Sequence, residues 1–172
     1  MKKLLLIAGI LVLSTSLMGE TAKDVKEDTV NVKAKVVAPL VLSTGDVDFG
    51  ILVPGEIKTE ETKGKVKLVG TANENIKLEV KVTENGNYTN YAGQDKDYDV
   101  ELKTGKGVEA NEKMTSILNL VSIDVEGNVA DGKVNLGADG VLEFDVTGTV
   151  NAAQDQKAGT YEGKFYVRAM YN

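Results

Sequence analysis

The side chains best suited to chemistry in this 172-residue chain are carboxylates, because it contains neither histidine nor cysteine. That absence removes the commonest general base, the thiol nucleophile and the usual zinc ligands. The densest acidic run is "QDKDYDVE", in which Asp95, Asp97 and Asp99 alternate. Paired carboxylates could act as acid and base in a hydrolase or supply oxygens to calcium. A calcium loop also needs a glycine at its sharp turn and a closing bidentate glutamate, and this run has neither. "GDVDFG", with Asp46 and Asp48, departs from that pattern in the same way. "NYT" at Asn87 matches a glycosylation acceptor, a three-residue pattern that also arises by chance. Phosphate-binding loops and basic aromatic stripes are missing from the sequence. The residue types therefore predict no catalytic, cofactor-binding or metal-ligating set, and a chain that is not an enzyme.

The elements that would carry a site read as strands. In "TVNVKAKVVAPLVL", Val30, Val32, Ala34 and Val36 alternate with Asn31, Lys33 and Lys35, which predicts a strand over Thr29 to Ala38 with one apolar face. Pro39 interrupts the ladder, and a second short strand begins at Leu40. "VDFGILVPGE", "KVKLVGT" and "NIKLEVKV" follow as strands. More are expected at Tyr98 to Lys103, Leu118 to Val125, Lys133 to Leu136 and Val141 to Gly148, whereas Glu109 to Leu118 is the one segment with helical character. At the carboxyl end, Tyr161, Gly163, Phe165, Val167, Ala169 and Tyr171 share one face of an extended strand, with Glu162, Lys164 and Arg168 on the other. Turn signals such as Pro54-Gly55, Asn85-Gly86 and Asp139-Gly140 divide these strands. About eight to ten short strands with such turns predict an all-β, immunoglobulin-like antiparallel β-sandwich.

The first residues, "MKKLLLIAGILVLSTSLMG", join two lysines to an apolar run and small residues, the pattern of a secretory signal peptide over residues 1–19. The apolar run is too short to span a bilayer, and beyond it none is long enough, so direct membrane insertion is not expected. Residues 20–172 would then form a single exported domain, stabilised by its core and backbone pairing without disulfides. Losing Lys2 and Lys3 with the leader would take the net charge from −6 to −8. An acidic surface disfavours nucleic acid and anionic lipid as partners.

The two ends together resemble a known family. A penultimate tyrosine, Tyr171, and a glycine fourteenth from the carboxyl end, Gly159, on an alternating strand are similar to the ending of bacterial fimbrial (pilin) subunits of the chaperone/usher type. "TVNVKAKVVAPLVL" is similar to the opening of the cysteine-free major pilins of enterotoxigenic-type fimbriae. Asp48-Phe49-Gly50 and Gly159-Thr160-Tyr161-Glu162-Gly163 also resemble the end motifs of a family of exported domains of unknown function. The matching stretches are the two ends; the middle of the chain matches neither pattern.

The resemblance implies a sandwich lacking its final strand, with an open groove beside the C-terminal strand. Gly159, Tyr161, Gly163, Phe165, Val167, Ala169 and Tyr171 would form the surface that binds a chaperone or subunit. Val30, Val32, Ala34 and Val36 would be donor-strand residues. The implied partners are other copies of the chain or related pilins, a periplasmic chaperone and an outer-membrane usher. The implied location is the periplasm in transit, then a fimbria at the cell surface. The alternative is a self-contained exported or surface sandwich that binds a protein or glycan, with Thr29 to Ala38 folded back on its own domain.

Overall fold

A computed structural model of the chain describes residues 28–104, 112–123 and 131–172; the expected leader lies outside them. Residues up to Lys35 belong to one unit and Val36–Asn172 to another. In the first, residues 28–35 are exposed and form no strand. The second unit is an antiparallel β-sandwich, with no helix among the described residues.

Its strands are β1 (Val41–Gly45), β2 (Ile57–Thr59), β3 (Gly64–Val69), β4 (Asn75–Lys81), β5 (Thr89–Asn90), β6 (Tyr98–Thr104), β7 (Lys113–Ser122), β8 (Lys133–Asn135), β9 (Val141–Asn151), β10 (Tyr161–Glu162) and β11 (Tyr166–Tyr171). One sheet runs β1-β3-β9-β7-β6-β10, with β2 also on β9; the other runs β11-β4-β5, with β8 also on β4. Alternation explains why these segments pair and face inward as they do. In β3, Val66 and Leu68 point into the core between exposed lysines, and in β9 Leu142, Phe144 and Val146 do the same. Ile76, Leu78 and Val80 of β4 meet them from the opposite sheet. Tyr91 closes the middle: its ring stands edge-on to Phe144, with centroids 5.5 Å apart, and its hydroxyl donates to the Leu120 carbonyl at 2.8 Å.

Four expectations need correction. Thr29 to Ala38 is not a strand, because alternation makes one face apolar but only a ladder partner makes a strand. Lys113 to Leu118 is strand rather than helix: Met114, Ser116 and Leu118 are buried at period two, which leaves no helical face to bury. Residues 109–111 of that segment lie outside the described residues. "VDFGILVPGE" is coil apart from a single bridge, Asp48 to Thr62. There the Asp48 carboxylate accepts from the Gly50 N–H at 2.8 Å, and Gly50 takes φ +67°, a turn that ends any ladder. Finally, the C-terminal strand is not continuous, and its break shapes the candidate site.

Candidate functional site: an open groove beside the last strand

The C-terminal segment changes sheets. Tyr161 and Glu162 pair with Thr104 and Lys103 of β6, and Tyr166–Tyr171 pair with β4 in the opposite sheet. Residues 163–165 make the crossing. Gly163 permits it, since a Cβ there would lie 2.6 Å from Leu102 Cδ2 and 2.8 Å from the Glu101 carbonyl. The inward set read from the sequence survives the break in direction, though not in completeness. Phe165, Val167, Ala169 and Tyr171 pack against the main core, and Tyr161 packs against a smaller cluster of Met114, Val150 and Ala152. All five are half-buried rather than buried, while Glu162, Lys164 and Arg168 are exposed. Gly159 and Gly163 are exposed as well.

Half-burial has a structural cause. Strand β11 ends its sheet, so among the described residues no strand pairs along its outer edge. Along β6, among the described residues, only Lys103 and Thr104 find a strand partner on the side away from β7. Between these edges, the end of β1 and the coil at 46–54 lies a groove of about 1020 Å³. Val66, Val100, Leu118 and Val146 contribute its floor, and Phe49, Leu52, Phe165 and Val167 its sides. The buried Ser116 leaves no unmet hydroxyl there, because it donates to the Val100 carbonyl at 3.2 Å. The site is thus a trough with an apolar floor, bordered by strand edges that no other described strand pairs, the two features that bind an added strand.

On the outer face of the same sheet, Arg168 anchors β11. Its Nε donates to Glu79 Oε2 at 2.8 Å, its Nη2 reaches the same oxygen, and its guanidinium lies 4.1 Å from the Tyr88 ring centroid. Glu79 is buried, and hydrogen bonds from Lys77 and then Arg168 hold its carboxyl below the usual carboxylate range.

Val30, Val32 and Val36 are 88%, 90% and 94% exposed, and Ala34 is exposed too. Asp95, Asp97 and Asp99 are exposed at the start of β6 and away from the groove; Asp97 accepts from the Asn119 amide at 2.6 Å. Sequence reasoning missed the part of the groove made by 47–54, since it treated 47–56 as strand. The signal was present in Asp48 two residues before Gly50, an Asx-turn spacing. No protein-family model matches the chain, and a search of curated proteins finds no match.

Proposed function

We propose that this protein is a structural subunit of a surface fimbria or pilus-like fibre, joined to its neighbours by donor-strand complementation. One observation carries the reading: the outer edge of β11, which no described strand pairs, borders a groove with an apolar floor and half-covered sides at Phe49, Leu52, Phe165 and Val167, while the same chain presents exposed Val30, Val32 and Val36 at strand spacing. Residues 29–38 of one copy would enter the groove of another. Three valines buried there would contribute about 1.5–3 kcal/mol each, with a row of backbone hydrogen bonds besides. Before assembly the open edge is an aggregation hazard, so a periplasmic chaperone strand would fill it, and an outer-membrane usher would direct exchange at the cell surface. Catalysis has no place in this reading.

The test is the assembly state of the chain from Glu20 over a range of concentrations. Linear multimers are expected, and Val32→Asp should abolish them by placing an unpaired carboxylate in an apolar groove. A monomer at every concentration, with Thr29 to Ala38 amides exchanging as slowly as the core, would mean that the strand closes its own domain and would overturn the fibre reading.

A further inference from the structure

The backbone at Ala38 is held by side chains from distant parts of the chain. Its N–H donates to Thr71 Oγ1 at 2.7 Å, and its carbonyl accepts from the Tyr171 hydroxyl at 2.8 Å. The same hydroxyl accepts from the Thr71 N–H at 2.9 Å, which closes a ring of three hydrogen bonds. Both polar backbone groups of a residue outside any strand are therefore satisfied without a ladder. Pro39 restricts Ala38 to extended conformations, and Leu40 packs against the core immediately afterwards. Gly70 makes the room, because a Cβ there would collide with the Tyr171 hydroxyl.

We propose that Tyr171 and Thr71 form a clamp that holds the root of the N-terminal segment to the end of β11. Tyr171 is then a positioning residue: its ring belongs to the core and its hydroxyl to the segment that precedes β1. Since β11 is paired on one side only, displacement of its end would be transmitted to Ala38 through this hydroxyl. The clamp holds Ala38 in its own domain, so a donated strand would comprise the residues before it, and the clamp stands whether or not one is donated.

The three bonds act as one unit or as separate contacts, and hydrogen exchange on the chain from Glu20 distinguishes these cases. Tyr171→Phe keeps the ring and leaves the Ala38 N–H to Thr71 Oγ1 pair intact. A clamp nevertheless requires the Ala38 amide to exchange at least about tenfold faster in this variant, while the amides of Leu68, Leu78 and Phe144 keep their protection. Thr71→Val should expose the same amide, and Thr71→Ser, which retains the hydroxyl, should restore it. Unchanged exchange at Ala38 in Tyr171→Phe overturns the proposal. So does a variant in which core amides lose protection together with Ala38, because the hydroxyl would then support the whole sandwich.

Discussion

The two ends of the inner surface follow the same alternating code and reach different degrees of burial. Around β3, β4 and β9, Leu68, Ile76, Leu78 and Phe144 have no exposed surface. From β10 through the crossing to β11, Tyr161, Phe165, Val167 and Tyr171 remain half-exposed although they too are apolar and point inward. The difference lies in neighbours rather than in the side chains. Strand β4 is flanked on both edges, by β11 and by β5 and β8, whereas among the described residues β11 has β4 alone. Alternation chooses a face, and the number of flanking strands decides how fully that face is covered.

The sharpest test of this contrast is a pair of truncations. Phe144→Ala should cost about 3–5 kcal/mol, since it empties a fully enclosed site. Phe165→Ala should cost roughly half as much, about 1–3 kcal/mol, because its half-buried ring already meets the open groove, even though it loses a contact with Tyr98 at a centroid distance of 5.4 Å. Chemical denaturation of both variants measures the gap. Equal costs would refute the contrast. A peptide of residues 29–38 that raises the cost of Phe165→Ala alone would locate the added strand in the groove.

A smaller effect is expected from pH, with opposite signs at the two regions. Glu79, which ties β11 to β4 through Arg168, has its carboxyl lowered by hydrogen bonds from Lys77 and Arg168. Its contribution is present above the ordinary value of 4.5 and is lost as pH falls through the lower folded value. Acid should therefore loosen β11, and Glu79→Gln should flatten the acid limb of a stability–pH curve. An acid limb unchanged in that variant would assign acid sensitivity elsewhere, for example to Asp145, which Lys65 and Lys63 hold down on the other sheet.

The enclosed region should respond to base instead. Burial pushes the Tyr91 hydroxyl from 10.0 up to about 12. Its contribution is complete below pH 10.0 and fades as pH rises towards about 12. Tyr91→Phe removes this alkaline loss and should cost about 0.5–1.5 kcal/mol at neutral pH, the net worth of its bond to the Leu120 carbonyl. Alkaline thermal melts of the two proteins would reveal the difference, and coincident curves would contradict it.

By itself the sequence determined the fold class and most strand identities. Val66 and Leu68, Leu78 and Val80, and Phe144 and Val146 recur at period two between lysines and acidic residues, and such a pattern can bury one face only as a strand. It also determined which side chains of the C-terminal segment turn inward, because side-chain direction is local. Tertiary structure decided what depends on a neighbour. Lys113 to Leu118 became strand because β6 and β9 lie on either side of it, and Thr29 to Ala38, with equally good alternation, has no strand beside it among the described residues and formed none. The sheet change at Gly163, and with it the groove, was settled by Leu102 and Glu101 lying where a Cβ would otherwise be. Those residues are some sixty positions away in the chain, and no local pattern encodes their approach.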